Sequence, residues 1–285
     1  MIFSIENEFL SVKIKKYGAE LNSVKSKETG IEYLWQGNPD IWYGQSPVLF
    51  PIVGTLLDNK YRVDGKEYEL FRHGCARKRD FEVKETGEGF ITLTQSFNDD
   101  SLKAYPYRYV LDITFRLDGK KLTVTHTVRN ADDKKIYFSI GAHPGFNCSI
   151  GDVLEFDQEE TDVVNEMIDE DSILFDEKFP SPIDGRIFTI TEHIFDKDAH
   201  VLSNLKSKKC TLKSQNRPQE VEFTFGDAPY LGLWAKPGAP YVCIEPWYGI
   251  NDSRDKKADF SQKRAIESID TGDVFEFSWS ALMKE

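Results

Sequence analysis

The chain has 285 residues, a formal net charge of −12 and a sequence pI of about 5.0. That length suffices for one large core, and the acidic balance speaks against nucleic acid or an anionic membrane as partner, since phosphate surfaces demand clustered Lys and Arg. The N-terminal stretch has no signal-peptide pattern, no run approaches the roughly 18 apolar residues of a membrane span, and four scattered cysteines (Cys75, Cys148, Cys210, Cys243) without a CxxC pair point to reduced thiols in a cytoplasmic protein.

Strands are predicted at residues 9–15 and 31–36. Lys60 to Leu70 alternates around Asp64-Gly65 and reads as a hairpin. A second runs from Phe81–Lys84 to Phe90–Thr94 through Gly87-Glu88-Gly89. The strongest alternates at Tyr107, Tyr109, Leu111, Ile113, Phe115 and Leu117, turns at Asp118-Gly119, and returns through Leu122, Val124, His126 and Val128. Further strands are expected at 199–204, 208–213, 219–225, 231–236 and 275–281. Only Asp162 to Ile168 and Asp259 to Ile266 read as short helices, and the acidic stretch Glu159 to Asp176 reads as a solvated excursion. With no βαβ rhythm, repeat or linker, the fold class is all-β: a large antiparallel β-sandwich forming one domain over residues 1–285.

Chemistry concentrates at two strand ends. Gly141-Ala142-His143-Pro144-Gly145 places a histidine among turn residues, which would lift the imidazole to a sheet rim or merely tie down the turn. Glu245 ends a hydrophobic run and is held extended by Pro246. Together they make a candidate acid–base pair. His73, in His73-Gly74-Cys75-Ala76-Arg77, is a second rim candidate, and Arg72, Arg77, Lys78 and Arg79 form a basic cluster able to receive an anion. Trp247 and Tyr248, with Trp234 on the preceding strand, suggest an aromatic platform for a sugar ring, although such residues also fill β cores. His126 falls on the apolar phase of its strand and reads as a core residue. His193 and His200, in a charged stretch, read as solvent-facing. No metal-ligand spacing is present.

These segments, with Pro47-Val48-Leu49-Phe50-Pro51-Ile52-Val53-Gly54 and Cys243-Ile244-Glu245-Pro246-Trp247, resemble the aldose 1-epimerase (galactose mutarotase) superfamily, in its shorter bacterial branch. The resemblance implies a supersandwich with a sugar cleft, His143 as general acid, Glu245 as general base and His73 as a second active-site histidine. It further implies substrate contacts at Arg77 and, on a looser match, Asp198. Thr55 stands where relatives commonly carry a sugar-binding arginine. The implied reaction is anomer interconversion of a hexose, with a small sugar as the partner and no cofactor. A hexose-6-phosphate epimerase, a non-catalytic carbohydrate-binding sandwich and a glycosidase are the alternatives; the last usually wants two carboxylates.

Overall fold

The computed structural model describes residues 1–284 other than 215, 217, 256 and 257. Ten antiparallel strands form the larger sheet. From one edge the order is Ile183–Asp184, Ile187–Thr189, Val153–Phe156, Lys209–Lys213, Glu220–Thr224, Val274–Lys284, Lys121–Asn130, Tyr109–Asp118, Phe90–Ser96 and Glu82–Gly87. The smaller sheet orders Val164–Met167, His200–Ser203, Tyr230–Trp234, Tyr241–Tyr248, Ile140–Ala142 and Val48–Leu49, with Gly145–Asn147 also paired to Tyr241–Tyr248. A three-stranded sheet of Ile2–Glu6, Leu10–Lys15 and Leu21–Ser26 completes the N-terminal part.

The predicted hairpins form because their turn residues allow positive φ. Asp64 and Gly65 have φ 51° and 77°, the geometry that two-residue hairpin loops prefer. Tyr109–Asp118 pairs with Lys121–Asn130 from Asp118 opposite Lys121 onward. Aromatic contacts join the two large sheets: Phe223 stacks on Trp279 within the larger one and meets Phe146 of the smaller edge-on, at ring separations of 5.3 and 5.7 Å. His126 lies in this core, 4.6 Å from the parallel ring of Phe277, and burial alone pushes its pKa down to about 3.

Several expectations are corrected. Residues 31–36 form only isolated bridges, Lys25 with Glu32 and Leu34 with Phe146. The segment expected to be helical near Asp162 is instead the edge strand Val164–Met167, paired with His200–Ser203. Its buried Glu166 is held by Arg264 and Lys178. The excursion from Glu159 to Asp176 is therefore only partly solvated, and Ile168, Ile173 and Leu174 are buried within it. Near Asp259 only the 3₁₀ turn Phe260–Gln262 forms, capped by Asp259. One α-helix that the sequence pattern does not announce, Asp99–Ala104, is closed by an Asn98–Ser101 capping box. All four cysteines are free thiols, and among the described residues no helix is long and apolar enough to cross a membrane.

Candidate active site

Register creates the site. Gly141 pairs with Trp247 and Gly145 with Cys243, so both short strands flanking His143 keep one register along Tyr241–Tyr248, and His143 falls opposite Glu245. Pro144 interrupts the ladder at that point because it lacks an N–H, while its carbonyl still accepts from Ile244. Alternation along the strand sends Cys243, Glu245 and Trp247 to one face. Tyr248 points to the other and packs on Phe275 and Phe277 of the larger sheet. The site therefore lies on the face of the smaller sheet turned away from the larger one, and Tyr248 takes no part in it.

That face carries a cleft of about 310 Å³ whose lining includes His73, Arg77, His143, Asp198, Glu245 and Trp247. His143 Nδ1 stands 3.4 Å from Glu245 Oε1. Neither residue sits on an exposed rim as expected, since His143 is 7 % and Glu245 1 % exposed. No turn forms at Pro144-Gly145: the chain runs on along Tyr241–Tyr248 in the same sheet, so the imidazole ends on the cleft floor. Burial, aided by Arg72 and Arg77, pushes the His143 pKa down to about 3. Burial also holds the Glu245 carboxyl well above its ordinary range, against the opposing pull of the Trp247 N–H and Arg72. Without a ligand, the pair thus favours a neutral imidazole beside a carboxylic acid. The expected imidazolium–carboxylate form has the same single proton, moved across the 3.4 Å contact.

His73 has a left-handed backbone (φ 63°), a costly state for a side-chain-bearing residue. Three contacts hold it: its N–H donates to Gly54 O, its carbonyl accepts from Phe50, and Gly54 N–H donates to its Nδ1 at 3.1 Å. An accepting Nδ1 leaves the proton on Nε2, so His73 is a neutral donor; burial, then His143 and the arginines, push its pKa well below 6.5. Asp198 is likewise left-handed (φ 67°) and stands 3.7 Å from Arg72 Nη2. Arg77 Nη2 donates to the carbonyl of Arg72.

Trp247 differs from the expected platform. Its indole is enclosed, 2 % exposed, and Nε1 donates to Glu245 Oε2 at 3.2 Å. Room for it comes from Gly141 and Gly232, where an added Cβ would approach the ring to 2.8 and 2.7 Å. The more accessible aromatic walls are Trp234 and Trp42. Trp42 stacks on His143 at 5.1 Å, and no local pattern in the sequence marks it. Lys236 and Asn251 also line the cleft without having been singled out. Thr55 does not line it, and Arg72 and Arg77 do.

The remaining histidines lie elsewhere. His193 is exposed and pairs with Asp196. His200, expected in solvent, is buried between Phe188 and Phe195 with Nε2 against Ile194 O, because its strand lies inside the smaller sheet. His143, Cys243 and Glu245 bring ligand atoms within 4.8 Å of one another. A cation requires deprotonated ligands, whereas burial pushes both the Cys243 thiol and the Glu245 carboxyl toward their protonated forms.

The aldose 1-epimerase family profile matches residues 1–257. Protein LacX (plasmid) of Lactococcus lactis subsp. lactis is 32 % identical over 284 residues, spanning 94 % of this chain and 95 % of that protein. A galactose mutarotase related enzyme from Lactobacillus acidophilus superposes with a TM-score of 0.93 at 32 % identity, covering 100 % of this chain and 98 % of that one. A galactose mutarotase-like protein from Lactobacillus casei gives 0.95 at 28 % identity, with 100 % of both chains covered.

Proposed function

The chain belongs to the aldose 1-epimerase family, and on that premise we propose that it interconverts the α and β anomers of a hexose at the His143–Glu245 pair. The observation that carries this reading is the buried 3.4 Å contact between a histidine and a carboxyl group on the floor of an aromatic-walled cleft. Once the pair's single proton has moved to His143, Glu245 takes the proton of the anomeric hydroxyl while His143 delivers its own to the ring oxygen. The C1–ring oxygen bond breaks and an aldehyde forms. Rotation about C1–C2 presents the other carbonyl face, and closure with the roles reversed returns the pair's single proton from Glu245 to His143. No electron or group is transferred, so the cycle calls for no cofactor. Each positioned acid or base contributes about 10²–10⁴ in rate.

His73 serves as an N–H donor to the sugar, and Arg77 and Asp198 bind its hydroxyls. Trp247 positions Glu245 through its indole N–H. This reading takes residues 1–285 as one unit. A hexose 6-phosphate is the second reading, favoured by the buried Nε atoms of Arg72 and Arg77, which have no hydrogen-bond partner, and by Lys236 nearby. Exchange NMR between anomers of galactose, glucose and their 6-phosphates tests both. Acceleration on at least one of these sugars supports an epimerase. Binding without acceleration on any of them would leave a carbohydrate-binding sandwich.

A further inference from the structure

Asp198, the proposed ligand of sugar hydroxyls, has a left-handed backbone, a state that persists only where its surroundings hold it. Its N–H donates to Phe195 O at 3.1 Å, and its Oδ1 accepts from the N–H of Ala199 at 2.8 Å. The other carboxylate oxygen, Oδ2, is the one that faces Arg72. The turn closed in this way is tied to the strand that follows it by one buried side chain. His200, which opens His200–Ser203, is 5 % exposed and sends its imidazole back against the turn. Its Nε2 stands 2.9 Å from the carbonyl oxygen of Ile194, the residue before Phe195. A carbonyl only accepts, so the proton of the neutral imidazole sits on Nε2 and is donated. Nδ1 faces Asn165 Oδ1 on the edge strand at 3.3 Å, and the rings of Phe188 and Phe195 lie 5.9 and 6.1 Å away. The backbone of His200 is itself fixed from both sides, opposite Met167 and Leu233.

We propose that His200 is a positioning residue for the substrate: by donating to Ile194 O it holds the turn that ends at Asp198, and so sets where that carboxylate points in the cleft. The inference rests on the reading of Asp198 as a ligand of the sugar. His200 does not line the cleft, so it acts through Asp198 and not by touching the sugar. An apolar side chain would fill the space between two phenylalanine rings without desolvating a polar group. What the imidazole adds is the bond to Ile194 O. Without that donor the part-buried carbonyl must turn toward water, and Phe195 and Asp198 move with it.

Anomer exchange kinetics test the role, on whichever of galactose, glucose and their 6-phosphates wild type accelerates. Asp198→Asn is expected to raise KM about tenfold, because a charged acceptor becomes a neutral one. His200→Leu fills the space without a donor and should raise KM about three- to tenfold with kcat near wild type, since Asp198 holds the sugar and moves no proton. His200→Asn, whose shorter amide reaches toward Asn165 but not Ile194, should do the same. His200→Gln places an N–H about where Nε2 stands and should behave as wild type. Adding His200→Leu to Asp198→Asn should raise KM no further, because both act through one carboxylate. An unchanged KM in His200→Leu and His200→Asn would overturn the positioning role and leave the epimerase reading intact. So would a loss in His200→Gln equal to theirs, or a rise that adds in full to that of Asp198→Asn. An unchanged KM in Asp198→Asn would remove the reading of Asp198, and the role of His200 with it. Acceleration of no sugar by wild type would remove the epimerase reading and the positioning role together.

Discussion

His143 and Glu245 share one proton, and burial decides where each limb of a pH profile falls. A second proton can be added only to an imidazole pushed down to about 3, and the single proton leaves only from a carboxyl held high. The acid limb of kcat/KM should therefore report the imidazole and the alkaline limb the carboxyl, as macroscopic values of the pair. Expectation from unburied groups reverses that assignment. Nitrogen-15 NMR of the free enzyme at pH 6 is expected to show a neutral His143 ring; an imidazolium there would contradict it. His143→Asn should lower anomer exchange by about a hundredfold or more with the fold retained, and His73→Asn should cost less. Equal losses would remove the distinction between their roles. The pair itself was legible, because Pro144 and Pro246 mark both residues locally. Its depth was not, since burial depends on Trp42, which stacks on His143 from 101 positions earlier.

At the scale of elements, Tyr241–Tyr248 does most to build the site. It sends Glu245 and Trp247 into the cleft face, while its neighbours supply Gly141 and Gly232 as space for the indole. Gly232→Ala would place a methyl 2.7 Å from the ring of a fully enclosed tryptophan. Overpacking of this kind costs about 1–3 kcal/mol. Urea denaturation should show that loss, and Gly232→Ala should cost less when made in a Trp247→Leu background than in wild type. An equal cost in both backgrounds would mean that the indole is not what the methyl strikes. Hairpins were legible for a simple reason: Asp64-Gly65 and Asp118-Gly119 define their turns within a few residues. Val164–Met167 was not, because its pairing with His200–Ser203 and the ion pairs of Glu166 to Lys178 and Arg264 are long-range and override a weak helical pattern.

Across the whole molecule, His73, His126, His143 and His200 are buried with pKa values pushed down, chiefly by burial. A histidine that stays neutral when folded binds fewer protons than in the unfolded chain. Stability is therefore full above the unfolded value near 6.5 and falls as pH drops toward the folded value. For His126, with a folded value of about 3, the loss at pH 5 is roughly 2 kcal/mol relative to pH 7. His126 makes no hydrogen bond through its buried Nδ1, so His126→Leu removes that liability. Urea midpoints should show the variant gaining about 2 kcal/mol more, relative to wild type, at pH 5 than at pH 7. An equal difference at both pH values would contradict the buried neutral state. The all-β architecture followed from period-2 alternation along most of the chain; the order of its strands, set by distant pairings, did not.

The most direct measurement is sugar binding beside anomer exchange for Glu245→Gln. Glutamine keeps the shape and a hydrogen-bonding group but cannot take a proton. Binding of the preferred sugar should stay near wild type, and exchange should fall at least about a hundredfold, roughly 3 kcal/mol of transition-state stabilisation. Near-normal exchange in that variant would contradict the account, because Glu245 would then be a ligand for a sugar hydroxyl and not the base.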